Sequence, residues 1–175
     1  FRRVLFRSIH CDVGLQVAVS PRPADLVQLA SQGAASFEIF TYDVAEQFLH
    51  ASAASIAAAV RAVAEAGGIA AVSPGDQSLH LASIDQLPPP PRTAADYVRS
   101  RPPIGELAGV TRAVSIAAGT GAAVHIRQIG SALAVGAYRR LKSMADVTIE
   151  TSPQLLLFTA AHLSYWGWAH LIVAG

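Results

Sequence analysis

The chain has 175 residues, 52% of them apolar and 14% charged, with a formal net charge of +1. That length accommodates one ordinary domain, and so apolar a composition excludes a disordered chain. The near-neutral balance and scattered basic residues lack the electrostatic footprint of a nucleic-acid binder, so no nucleic-acid partner is expected. Alanine supplies much of the hydrophobicity, and no apolar stretch reaches the roughly 18 residues of a membrane helix. The closest approach, 55–72, is broken by Arg61 and Glu65, and no membrane association is expected. One cysteine, Cys11, excludes an internal disulfide framework and suits a reducing, cytoplasmic location. Phe1–Ser8 is arginine-dense, has no apolar core with a cleavage site behind it, and reads as a non-native leader. The other end, 162–175, with Trp166 and Trp168, has a texture unlike the body at 9–161.

The body alternates strand-like and helix-like segments. A short β-type run at 11–19 ends in Ser20-Pro21. A helix over 24–31 follows, stopped by Gly33 in the left-handed position after its end. Large apolar and aromatic residues alternate over 36–42, as in a strand. Good helix formers fill 52–66 and Gly67-Gly68 closes them; 69–73 is a short buried strand. The stretch 74–103, with four consecutive prolines at 88–91, reads as irregular. A helix is predicted over 106–118, stopped by Gly119, then a strand over 122–129. Ser131 caps a helix reaching about Lys142. The last strand is 146–150, before a helix capped by Thr151 or Ser152 with Pro153 at its first position. Five strands, each followed by a helix or helix-like turn, argue for parallel βαβ units. Periodicity alone leaves a doubly wound, flavodoxin-like sheet and part of a (β/α)₈ barrel both open.

Several motifs in order resemble those of the cyclic amidohydrolases (hydantoinases, dihydropyrimidinases, allantoinases and dihydroorotases). His10-Cys11-Asp12-Val13-Gly14-Leu15-Gln16 is similar to the family's third-strand segment. Gly33-Ala34-Ala35-Ser36-Phe37-Glu38-Ile39-Phe40 resembles its G-x-x-S-F-K-x-F fourth strand. Ser100-Arg101-Pro102-Pro103 with Glu106 looks like the approach to the fifth helix. Ala123–Ile129 resembles the sixth strand, x-x-H-I-x-H-x-S. Val147-Thr148-Ile149-Glu150-Thr151-Ser152-Pro153-Gln154 resembles strand seven, V-T-x-E-T-x-P-Q. The resemblance implies an α/β fold, an incomplete (β/α)₈ TIM barrel of the metal-dependent hydrolase type covering approximately strands three to seven. It implies a site at the C-terminal strand ends and hydrolysis of a cyclic-amide C–N bond by water activated between two divalent metals, zinc by family. A homo-oligomer is implied for the full-length protein.

By the same resemblance, a carboxylated lysine on strand four bridges the metals, and histidines after strands five and six hold one of them. This chain has Glu38, Ser73 and Gln128 at those positions. Glutamate is a competent hard oxygen ligand, but a serine hydroxyl and a carboxamide are poor partners for zinc. The divalent metal is therefore expected to be weakly held or absent, and activity on a small cyclic amide is in doubt. The alternative is a non-catalytic homologue acting as a partner or structural subunit. Asp76, His125, Glu150 and Thr151 are candidates for the substrate pocket. His125 lies three residues before Gln128, on the opposite face of a continuing strand. Blander readings stand beside these. Glu38 pairs with Arg127 in a wet barrel mouth. Ser73 and Asp76 are turn residues around Pro74-Gly75, and no G-x-S-x-G elbow supports a Ser73–His125–Asp76 triad. The Gly130-Ser131 amides open a helix and could hold an anionic substrate group, or serve simply as its cap.

Overall fold

The structure, a computed structural model, describes residues 13–21, 26–90 and 92–162. The leader at Phe1–Ser8, His10, Cys11, Ala24, Pro91 and the segment from 163 onward, with its two tryptophans, lie outside the described residues.

The described residues form five strands: β1 (Leu15–Ala18), β2 (Ala34–Phe40), β3 (Ala70–Ser73), β4 (Val124–Ile126) and β5 (Val147–Ile149). The helices are α1 (Leu26–Ser31), α2 (Ala53–Glu65), α3 (Gln77–Asp85), α4 (Ala94–Arg99), α5 (Pro103–Thr120), α6 (Ala132–Leu141) and α7 (Pro153–Leu157). Every strand pair is parallel, and the order across the sheet is β1-β2-β3-β4-β5. Each strand thus lies beside its predecessor, as in a (β/α)₈ barrel. A flavodoxin-like sheet would interleave them, in the order 2-1-3-4-5.

Strand alternation gives the sheet two unlike faces. Phe37, Ile39, Val72, Val124 and Ile126 are buried in one apolar cluster with Ile56, Val60 and Val63 of α2 and Val110, Val114 and Ala117 of α5. Fully burying a side chain of this size stabilises by about 1.5–3 kcal/mol, so this face carries the fold. The packing is close enough to need glycine at one crossing: a Cβ on Gly109 of α5 would lie 2.2 Å from the backbone nitrogen of Gly75. The opposite face carries Gln16, Ser36, Glu38, Ser73, His125, Arg127, Thr148 and Glu150, joined across the strands by hydrogen bonds.

Two expectations are corrected. The stretch 74–103 is not irregular throughout, because it contains α3 and α4. Both were signalled by caps. The Asp76 carboxylate accepts from the amides of Ser78 and Leu79. Thr93 and Asp96 form a reciprocal capping box at the start of α4. The proline run between the two helices stays non-helical over its described residues. The fifth helix is also longer at both ends than 106–118. Pro103 opens it, since the missing N–H of proline is no loss in a first turn. At the other end Gly119 is absorbed within the helix, and Gly121, with φ 70°, takes the left-handed cap.

Candidate functional site

β2, β3, β4 and β5 present their C-terminal ends side by side, and six side chains meet there across the sheet. Glu38 Oε1 accepts a hydrogen bond from Ser73 Oγ (2.7 Å) and another from Arg127 Nη1 (2.5 Å). Arg127 also donates through Nε to Glu150 Oε1 at 3.0 Å. The other Glu150 oxygen lies 3.2 Å from His125 Nε2, and His125 Nδ1 lies 2.8 Å from the Thr148 hydroxyl. The strand period explains the assembly. Residues 125 and 127 share a face with 38, 73 and 150, and register places Ala71 between Glu38 and His125. Backbone bonds from Arg127 N to Val72 O and from Glu150 N to Ile126 O carry the ladder just past the strand ends.

Each charged group of the network has a partner within it. Glu38 keeps only 13% of its side-chain surface and Arg127 23%, whereas Glu150 keeps 40%. Burial pushes the Glu150 carboxyl up, but the hydrogen bonds from His125 and Arg127 outweigh it and hold the group below its ordinary range. One guanidinium serves two carboxylates, and its rigid fork suits such bridging.

A two-metal centre of the kind the resemblance implies does not fit these residues. Glu38 has one oxygen committed to both Ser73 and Arg127, and a guanidinium beside that carboxylate repels a dication. Ser73 is spent as a donor. Gln128 is exposed, with φ 50°, beyond the end of β4, so its expected alternation against His125 does not extend that far. Among the described residues no group of three or more His, Cys, Asp or Glu side chains could hold a metal ion.

The other candidates separate. Asp76 caps α3 and pairs with Arg112 Nη1 at 3.1 Å, while Arg112 Nη2 bonds Gly75 O at 2.6 Å. The Ser78 hydroxyl above all, with the backbone amides and Arg112, holds the Asp76 carboxyl below its usual value despite partial burial. Asp76 is therefore committed to the turn after β3, and the imagined triad falls apart: Ser73 addresses Glu38, and His125 addresses Glu150. Thr151 is exposed after β5. The Gly130 and Ser131 amides are not open to a foreign anion, because both oxygens of Glu106 accept from them at 2.7 and 2.8 Å.

Beside the network lies a cavity of about 310 Å³ lined by Tyr42, Tyr97, Arg101, Glu106, Gln128 and Leu155 among others. Sequence reasoning missed the cluster on its wall. Asp43 pairs with Arg101 and with His80 Nε2 (3.1 Å), and His80 Nδ1 lies 2.7 Å from Ser100 O. Arg101 also stacks on Tyr97, 3.5 Å from the ring centroid. The signal was present in Ser100-Arg101-Pro102-Pro103, but the partners lie far away along the chain. Burial raises the Tyr42 and Tyr97 hydroxyls above their ordinary value, so both are neutral donors at the cavity.

No protein-family model matches the chain. The allantoinase of Deinococcus radiodurans is 48% identical over 65 residues, 37% of this chain and 14% of that protein. The allantoinase of Solibacter usitatus is 30% identical over 162 residues, 90% of this chain and 35% of that protein. Among solved structures, a D-hydantoinase superposes with a TM-score of 0.77 at 20% identity, over 88% of this chain and 35% of that one. The structural likeness bears on the fold and the allantoinase matches on the lineage. The chain thus spans only 14–35% of the length of the allantoinases it matches. With the ordered motifs, the sequential parallel sheet and these similarities together, the chain belongs to the cyclic amidohydrolase family, and its five strands are a section of that family's (β/α)₈ barrel.

Proposed function

We propose that this chain is the strand-three-to-seven section, 9–161, of an allantoinase-like protein that does not open cyclic amides by the two-metal route. In this reading it serves as a non-catalytic homologue. The observation that supports it most is the Arg127 guanidinium bonded to Glu38, the residue standing where the family's bridging ligand would be. Ser73 and Gln128, at the other two ligand-equivalent positions, supply a hydroxyl and a carboxamide in place of imidazoles. A catalytic zinc site needs three protein donors of N, S or O type held around an open position, and these residues offer one carboxylate already engaged. A homo-oligomer in which the homologue supports structure follows from the same reading.

The test is ring opening of allantoin, hydantoin, dihydrouracil and dihydroorotate by the full-length protein with zinc or manganese supplied. The expected result is no turnover above buffer, and metal-dependent turnover of any of the four overturns the proposal. The combined variant Glu38→Lys, Ser73→His, Gln128→His, Arg127→Val tests the placement of the site. It is expected to gain zinc binding. If zinc binding does not appear, these positions are not the ligand positions.

A further inference from the structure

Arg127 is the only described cation bonded to carboxylates on both sides of the strand-end network. It lies on neither the metal-ligand pattern nor any motif position that the resemblance specifies. Its Nη1 reaches Glu38 on β2 and its Nε reaches Glu150 after β5, while Glu38 in turn accepts from Ser73 on β3. The bridge therefore ties the C-terminal ends of four adjacent strands through one side chain. With 23% of its side-chain surface left, Arg127 is screened by water much less than a surface arginine.

We infer that Arg127 is the resident cation of this site. The guanidinium takes the electrostatic and cross-strand role that a metal pair would take, and site integrity depends on Arg127 rather than on a bound ion. The geometry supports this in three ways. Both carboxylates of the network have a partner, because Arg127 faces Glu38 and Glu150, and the second oxygen of Glu150 faces His125. The two nitrogens used by Arg127 point in different directions, which a lysine ammonium on a flexible stem does not reproduce. The donors that a cation would recruit, Glu38 and Ser73, are already bonded to each other. The inference rests on the proposed departure from two-metal chemistry, but it concerns what holds the site together, not what the site turns over.

The experiment uses the full-length protein, wild type and the variants Arg127→Lys and Arg127→Met. Thermal melting is followed with EDTA, with added zinc and with neither, and metal content is measured after dialysis. Wild type is expected to retain well under one equivalent of zinc and to melt at the same temperature in all three conditions. Arg127→Met is expected to melt roughly 5 °C lower, and Arg127→Lys to recover only part of that shift. Zinc retained by wild type and lost in Glu38→Gln overturns the inference, and so does Arg127→Met melting like wild type. If Arg127→Met does not fold, the wild-type EDTA and zinc arms still decide. Ring-amide turnover without metal would defeat the non-catalytic reading and leave this inference standing. Retained zinc without turnover would do the reverse.

Discussion

Phe37 and Glu38 are consecutive on β2 and meet opposite surroundings. Phe37 is fully buried against the helices, among Ile56, Val60, Val63 and their neighbours. Glu38 points the other way, into a row of hydrogen-bonded polar groups that crosses four strands. The helix-facing side is held by non-directional burial, which tolerates exchange of one aliphatic residue for another. The other side is held by directional bonds among charged groups, which tolerate almost no change in partner. The scaffold of the family can therefore persist on the first face while the chemistry of the second is replaced.

The largest expected effect breaks the apolar face. Phe37→Ala should lower unfolding free energy by about 4 kcal/mol, read from a urea denaturation midpoint. A loss below about 1 kcal/mol would mean that the face is less tightly packed than the burial implies. Gly109→Ala should follow at about 3 kcal/mol, because the new Cβ meets the backbone of Gly75 and Pro74, which has no rotamer to yield.

On the polar face the expected effects are smaller. Glu38→Gln keeps the shape and a hydrogen-bond acceptor for Ser73 but removes one charge from Arg127, which retains Glu150. About 1–2 kcal/mol is expected, and a loss equal to that of Phe37→Ala would erase the distinction between the faces. Asp76→Asn keeps the cap of α3 and weakens the pairing to Arg112, so about 1 kcal/mol is expected at neutral pH. Its pH dependence has a definite sign. The folded-state carboxyl titrates below its unfolded value, so the unfolded chain binds more protons between the two. The stability from Asp76 is fully present above the ordinary carboxylate range and is lost as pH falls through the folded value. Asp76→Asn should therefore flatten the acid limb of a stability-versus-pH curve. Thr148→Val, at the exposed position of β5, should change stability by no more than about 0.5 kcal/mol.

Much of the fold was legible because its signals are local. Ser131 caps the helix expected of it, Ser52 caps rather than begins the helix expected over 52–66, and Gly33 and Gly67 take left-handed conformations just past helix ends. Four strands fall within their expected segments and are shorter, because pairing gives out before the apolar pattern does, whereas β2 is shifted two residues earlier than the expected 36–42. The two missed helices were hidden by their proline-rich surroundings, although Asp76 and the Thr93–Asp96 pair marked both starts. The site was legible only in part. Glu38 opposite Arg127 was foreseeable from charge and parity along the strands, but Arg127 binding Glu38 and Glu150 at once was not. The Gly130-Ser131 amides looked available until Glu106, from the preceding helix, proved to occupy them.

The amino-acid sequence by itself determined which segments are strands and which side of each is apolar, because period and capping are properties of neighbouring residues, while the order of pairing came from the tertiary structure. The resemblance expects metal ligands at Glu38, Ser73 and Gln128, where lysine and imidazole are absent. Only the tertiary structure decided what stands there instead. Arg127 is 89 residues from Glu38 along the chain, and their meeting depends on the stagger of two successive parallel pairings. Asp43 after β2, His80 within α3 and Arg101 after α4 are likewise brought together from separate elements. Such contacts carry no local sequence signal, since their energy depends on geometry that exists only once the sheet has closed the distance.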